Sequence, residues 1–132
     1  MRVFADSFYF FAMLNQKDQS HARAAQWTET FTGQLVTTEW VLLELADGLA
    51  SSPGRASFFR TRQRLLADPQ HRLIPLSMSL HEDGLQLFEA RPDKQWTLTD
   101  CISFVVMRLE GLVEALTGDH HFEQAGFVAL LK

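Results

Sequence analysis

The 132-residue sequence lacks several features, and each absence excludes a class of protein. Its single cysteine, Cys101, cannot form an internal disulfide and has no second cysteine with which to bind zinc. No apolar run approaches the roughly 20 residues that span a membrane. Asp6 interrupts the start of the chain too early for a secretory signal. We therefore expect a cytoplasmic protein that makes no contact with a membrane.

Positive charge is also scarce. The chain has 12 Lys and Arg against 16 Asp and Glu, with a net charge of −4 at pH 7. This balance argues against a broad basic surface for nucleic acid, although it allows a local one. A protein that gathers carboxylates around a metal is acidic overall even when its substrate is an anion.

Apolar residues, in contrast, are plentiful. They make up 46% of the sequence and include 11 Phe and 3 Trp, so disorder is excluded and a sizeable core is expected. We predict a single domain over residues 1–132.

Short β-like runs alternate with helical patterns along the chain. The predicted strands are RVFA (2–5), QLVTT (34–38), RLIPL (72–76), LVEAL (112–116) and FVALL (127–131). Apolar residues at three- and four-residue spacing predict helices at 20–27, 41–49, 58–66, 78–90 and 100–109. Such alternation indicates an α/β fold, a three-layer α/β/α sandwich around a mostly parallel sheet.

Four carboxylates stand at or near the junctions of these elements. Asp6 follows the first predicted strand, Asp119 follows the fourth, and Asp100 begins the helix before that fourth strand. Glu44 lies one or two turns inside the helix that follows the second strand, between apolar neighbours. In open parallel sheets ligands gather beyond the carboxyl ends of the strands, so we expect these acids to meet at one edge.

Each acid alone has an ordinary explanation. An aspartate near a helix N-terminus caps backbone N–H groups, Asp119 could be a turn residue, and Glu44 could lie on a solvated helix face. Together, however, like charges at one edge repel unless a cation binds. Oxygen ligands without cysteine favour Mg²⁺ or Mn²⁺ over Zn²⁺. We also expect the helix N-termini to lower the pKa of these aspartates.

The first strand is not followed by the features of three other α/β classes. A receiver-like domain needs a neighbouring acidic pair, and a haloacid dehalogenase-type phosphotransferase needs Asp-x-Asp, where this chain has Asp6-Ser7-Phe8. A dinucleotide-binding domain needs a glycine-rich turn at this point. All three are excluded.

Three segments resemble the PIN-domain ribonucleases, particularly the small VapC-type toxins. VFADSFYFFAMLNQKDQSH (3–21), with Asp-Ser after a strand and then DxxH, is similar to the N-terminal pattern of that family. TTEWVLLELADGL (37–49) resembles its glutamate helix. TLTDCISFVVMRLEGLVEALTGDHHFEQAGFVAL (97–130) resembles its C-terminal signature of a Thr-Asp helix, a strand and T-x-D-x-x-F.

The resemblance implies a central sheet of about five strands and metal-dependent hydrolysis of RNA phosphodiesters to 5′-phosphate and 3′-hydroxyl products. Asp6, Glu44, Asp100 and Asp119 would be the acidic residues of the site, holding one or two Mg²⁺ or Mn²⁺ ions. It also implies a homodimer and a small antitoxin that covers the active groove. The alternative is a catalytically inactive PIN fold that binds RNA or a protein.

Further residues are candidates for supporting roles. Ser7, Thr99 or Thr117 could hydrogen-bond a carboxylate or a water, or could equally cap a helix. Arg55, Arg60 and Arg64 could bind RNA, or could form a solvated outer helix face. His120 and His121 offer an alternative zinc site.

Overall fold

The computed structural model describes residues 1–132 and contains a five-stranded sheet flanked by seven helices. The strands are β1 (Arg2–Ala5), β2 (Gln34–Thr38), β3 (Arg72–Ile74), β4 (Glu114–Leu116) and β5 (Val128–Ala129). The helices are α1 (Ser7–Leu14), α2 (His21–Thr30), α3 (Glu39–Gly48), α4 (Gly54–Ala67), α5 (Met78–Ala90), α6 (Leu98–Glu110) and α7 (His120–Gln124). The predicted α/β sandwich is confirmed.

The sheet has the strand order β3-β2-β1-β4-β5, and every pair of neighbours is parallel. From the central β1 the chain adds β2 and β3 on one side and then returns to add β4 and β5 on the other. The order therefore reverses beside β1. In such sheets the crevice beyond the carboxyl ends of the strands at the reversal is the usual place for a ligand.

Two of the predicted strands, 72–76 and 112–116, are longer than the strands observed, and each difference has a local cause. β3 ends at Ile74 because Pro75 has no N–H with which to continue the ladder. β4 begins late because the N–H of Leu112 donates to Met107 O (2.8 Å) and closes the end of α6. Gly111 allows this closure, since it adopts a φ of 69°.

The last predicted strand, 127–131, is observed as two residues, and a helix that the sequence patterns did not predict precedes it. This helix, α7, is five residues long, and the N–H of Phe127 donates back to Phe122 O (3.0 Å). Only Val128 and Ala129 remain in strand geometry as β5.

The core consists of one cluster of 26 buried apolar residues. β1 supplies Val3, Phe4 and Ala5, all fully buried, as expected for the central strand of a sheet covered on both faces. Phe122 of α7 is also fully buried and packs edge-to-face on Phe104 of α6 at 5.0 Å. This contact anchors α7 beside α6. None of the helices is long and apolar enough to cross a membrane.

The DxxH residues noted in the sequence close the turn between α1 and α2. Asp18 Oδ1 accepts the N–H of Ser20 (2.8 Å), and His21 Nδ1 lies 2.7 Å from Ala12 O. Both side chains therefore stabilise a connection.

Candidate metal centre

The four acids lie at the carboxyl edge of the sheet, each placed by a different element. Asp6 directly follows β1 and is the N-cap residue of α1. Asp119 follows β4 and is the N-cap residue of α7, where its side chain accepts the N–H of His121. Asp100 lies in the first turn of α6, and Glu44 lies in the second turn of α3, which begins directly after β2.

The charges of the four side chains act on one another. The negative charges of Asp100 and Glu44 both raise the pKa of Asp6, and those of Asp100 and Asp119 raise the pKa of Glu44. Such effects indicate that the four side chains lie in the same region of the protein. No lysine or arginine forms an ion pair with any of them. No permanently charged cationic side chain therefore balances the negative charge at this edge.

Burial is the largest cause of the pKa shifts at this edge. Asp6 is only 4% exposed, and its burial raises the pKa of its carboxyl group to about 7. Burial likewise raises the pKa of Asp100 and of Glu44. The expectation that helix N-termini would lower these pKa values is wrong for Asp6 and Asp100. Hydrogen bonds from the Thr117 hydroxyl to Asp6 and from Thr97 N–H to Asp100 do lower them, but desolvation outweighs both.

One oxygen of each carboxylate is held by a hydrogen bond from the protein. The four contacts are Thr117 Oγ1–H to Asp6 Oδ2 (2.9 Å), Ser7 Oγ–H to Glu44 Oε1, Thr97 N–H to Asp100 Oδ2 (3.1 Å) and His121 N–H to Asp119 Oδ1 (2.9 Å). The other oxygen of each accepts no hydrogen bond from the chain. The buried side-chain N and O atoms of the chain that lack a hydrogen-bond partner are His71 Nδ1 and Ser103 Oγ. The second oxygens of the four carboxylates are not among them, so they are not fully buried.

These contacts can be compared with the predicted supporting hydroxyls. Ser7 and Thr117 each donate to one of the carboxylates. Thr99 makes no such contact; the residue that caps α6 is Thr97, through a reciprocal capping box with Asp100. The sequence signal for Thr97 was its place three residues before Asp100, which is the spacing of a capping box.

His121 is a neighbour of the acids that the sequence indicated only as part of an alternative zinc site with His120. Its Nδ1 lies 2.9 Å from Asp100 Oδ2 and 3.5 Å from Asp119 Oδ1. Its side chain is 17% exposed, whereas that of His120 is 65% exposed and lies 3.6 Å from Asp119 Oδ1. Asp119, His120 and His121 place potential ligand atoms within 4.8 Å of one another, so the alternative zinc site predicted for His120 and His121 remains compatible with the geometry.

The three arginines proposed for RNA lie apart from this cluster, on α4. Arg55, Arg60 and Arg64 are all exposed. Arg55 donates to Ala50 O and Arg60 to Ser57 Oγ (3.1 Å), and neither contacts a carboxylate of the edge. α4 packs against α3, the helix that carries Glu44.

The donor set suits a hard divalent cation. Four carboxylates lie at the same edge of the sheet, where their negative charges raise the pKa of Asp6 and of Glu44, no thiolate is among them, and their mutual repulsion is relieved when a cation binds. The residues present therefore fit Mg²⁺ or Mn²⁺ on the chemistry of their oxygens.

Comparisons with known proteins agree with this architecture. VapC20 of Mycobacterium tuberculosis, described as a toxin that cleaves the sarcin-ricin loop, is 24% identical over 96% of both chains, with a TM-score of 0.86. FitAcB of Neisseria gonorrhoeae is 17% identical over 98% of this chain and 95% of that one, with a TM-score of 0.69. A toxin–antitoxin complex from Klebsiella pneumoniae gives 19% identity over 97% of both chains and a TM-score of 0.66. Identities this low establish likeness of fold alone.

At the level of sequence, no curated protein matches the chain. A family model does match: the one described as PIN domain aligns with residues 3–128. This range includes all five strands except the first residue of β1 and the last residue of β5. It also includes Asp6, Glu44, Asp100 and Asp119. The chain belongs to the PIN-domain family.

Proposed function

We propose that this protein is a metal-dependent ribonuclease that hydrolyses phosphodiester bonds of RNA. The observation that carries the proposal is the convergence of Asp6, Glu44, Asp100 and Asp119, each with one oxygen held and one oxygen free. In a purely structural cluster, a lysine or arginine could balance the negative charge. In a cation-binding cluster, a positive side chain would compete with the metal, and these acids form no ion pair with a lysine or arginine.

Asp6, Asp100 and Asp119 would hold Mg²⁺ or Mn²⁺, with Glu44 as a further ligand or as the group that orients the attacking water. When bound, the cation would neutralise charge on the phosphate and lower the pKa of that water. The hydrogen bonds from Thr117 and Ser7 would fix the rotamers of Asp6 and Glu44. By resemblance to the family, the products would carry 5′-phosphate and 3′-hydroxyl ends.

RNA binding is assigned in this proposal to the exposed arginines of α4. Arg55, Arg60 and Arg64 present guanidinium groups to solvent, and this group is well suited to phosphate. A cytoplasmic location is part of the proposal.

A role as the toxin of a type II toxin–antitoxin pair is a narrower proposal. It is supported by likeness to the Klebsiella toxin–antitoxin complex and to VapC20. The partners would be a small antitoxin and a second copy of this chain in a homodimer.

The second candidate function is a catalytically inactive PIN fold that binds RNA or protein. Specifically, the exposed arginines of α4 would serve binding equally well without cleavage. The free oxygens of all four acids favour the nuclease.

Incubation of the purified protein, free of any antitoxin, with a mixed RNA substrate separates the two functions. We expect cleavage with Mn²⁺ or Mg²⁺, none with EDTA, and none from Asp100→Asn at equal concentration. Cleavage by wild type no faster than by Asp100→Asn, together with retained RNA binding, would establish the binding module instead.

A further inference from the structure

One side chain connects two of the four acids across separate elements. His121, in the first turn of α7, places Nδ1 2.9 Å from Asp100 Oδ2 on α6 and 3.5 Å from Asp119 Oδ1 at the start of α7. The backbone N–H of the same residue donates to Asp119 Oδ1 at 2.9 Å. His121 therefore contacts both carboxylates.

We infer that His121 is a positioning residue that holds Asp100 and Asp119 in the arrangement that binds the divalent cation. This inference rests on the proposed function, because it assigns the cation to the same carboxylates. His121 would act through the two aspartates and would not itself be a ligand.

The direction of the contact supports a donor role. Nδ1 lies at hydrogen-bond distance from Asp100 Oδ2, and a carboxylate can only accept, so the hydrogen of the imidazole must lie on Nδ1. Asp100 Oδ2 then accepts two hydrogen bonds, from His121 and from the N–H of Thr97 (3.1 Å). With Oδ2 occupied in this way, Oδ1 of Asp100 is the oxygen left for a cation.

The position of His121 is itself fixed by packing. Phe122, the next residue, is fully buried against Phe104 of α6, so α7 cannot move freely relative to α6. The His121 side chain is also largely covered, at 17% exposed. Because both partners of the hydrogen bond are already held in place, little conformational entropy is lost when it forms. A contact that supports a metal site requires this.

Isothermal titration of the full chain with Mn²⁺ tests the inference without relying on activity. We expect His121→Ala to weaken Mn²⁺ binding about 10–100-fold, the usual effect of losing a partner that orients a metal ligand. His121→Asn should recover most of the affinity, since the side-chain amide nitrogen of asparagine can donate from about the place of Nδ1. Thermal melting in EDTA identifies variants that fold, and only folded variants are compared.

His120→Ala is the matched control, since His120 is the adjacent residue of the same helix and is 65% exposed. We expect it to bind Mn²⁺ like wild type. Equal weakening by His120→Ala and His121→Ala would instead mean that both imidazoles are ligands together with Asp119, and the positioning role would be wrong. The inference also fails if His121→Asn binds as weakly as His121→Ala, or if His121→Ala binds like wild type.

The proposed function fails in a different way. If wild type and Asp100→Asn bind Mn²⁺ equally poorly and neither cleaves RNA, no cation site exists at this edge and both proposals fall. If wild type binds Mn²⁺ and cleaves RNA while His121→Ala does so equally well, only the role of His121 is refuted.

Discussion

Thr117 and Asp6, separated by 111 positions in the sequence, are joined by a hydrogen bond of 2.9 Å from the threonine hydroxyl to Asp6 Oδ2. Thr117 directly follows β4, and Asp6 directly follows β1, so the bond forms where these two parallel strands end side by side. Thr117 also accepts the N–H of Asp119 at 3.1 Å. A single fully buried hydroxyl therefore connects two of the candidate ligands.

Replacing Thr117 by valine tests this connection. Valine keeps the shape but leaves Asp6 without its donor and the N–H of Asp119 without its acceptor. We expect a loss of about 2 kcal/mol in the unfolding free energy of the metal-free protein. Mn²⁺ affinity should fall about 10-fold or more by titration. Thr117→Ser keeps both hydrogen bonds and should bind like wild type; equal affinity of the valine and serine variants would contradict the prediction.

The pKa of Asp6 predicts a pH dependence of stability in the absence of metal. The ordinary pKa of an aspartate is 3.8, and that of Asp6 is about 7 in the folded protein, so at intermediate pH the folded state holds a proton that the unfolded chain releases. The unfolding free energy must therefore fall as pH rises from about 4 to 7. Since one pKa unit corresponds to about 1.4 kcal/mol, the fall is on the order of a few kcal/mol.

Urea unfolding in EDTA at pH 5 and at pH 8 measures this effect, and Asp6→Asn is the comparison. The asparagine cannot titrate, so the variant should lose less stability between the two pH values and should exceed wild type at pH 8. A smaller fall of the same sign should persist, because burial also raises the pKa of Glu44 and Asp100. If wild type instead gains stability from pH 5 to pH 8 relative to Asp6→Asn, the burial of an ionisable Asp6 is refuted.

Asp100→Asn distinguishes a helix cap from a metal ligand. Asparagine can still accept hydrogen bonds through its side-chain oxygen, so α6 should form, and without metal the variant should be at least as stable as wild type at pH 7.5, because burial raises the pKa of Asp100. Wild type should gain about 2.7 kcal/mol with Mn²⁺ at 100 times its dissociation constant, and the variant much less. Thermal melts with and without Mn²⁺ measure both. Asp83→Asn on α5 is the control, and Mn²⁺ should stabilise it as much as it stabilises wild type. If Asp100 only caps the helix, Mn²⁺ should stabilise Asp100→Asn by the same amount as well.

The meeting of the acids could be predicted because it follows from strand ends. Asp6 comes directly after an apolar run, and Asp119 comes shortly after another, so a parallel sheet alone brings them to one edge. Glu44 was noticeable because a charged residue interrupts an apolar helix. These signals are local in sequence, and the topology of the sheet then brings the acidic residues close together.

The contact of His121 with Asp100 could not be predicted in the same way. It depends on how the first turn of α7 sits against the first turn of α6, and α7 has only five residues, too few to show a helical period. The pKa of Asp6 was also out of reach, because its burial depends on the helices packed around the sheet edge. The early end of β3, in contrast, was available from Pro75 in the sequence.

The arginines of α4 give the last prediction, which concerns RNA. Replacing Arg55, Arg60 and Arg64 together by alanine should weaken RNA binding and reduce the dependence of log Kd on log salt by about 0.7 for each phosphate that the protein no longer neutralises. Cleavage at saturating RNA should change little, since none of the three contacts a carboxylate of the metal-binding edge. Filter binding with Asp100→Asn as the inactive background, at several salt concentrations, measures the slope. The double variant Lys17→Ala, Lys94→Ala removes positive charge elsewhere and is the control. If it lowers the slope as much as the arginine variant does, the protein binds RNA through its overall charge and α4 is not the binding site.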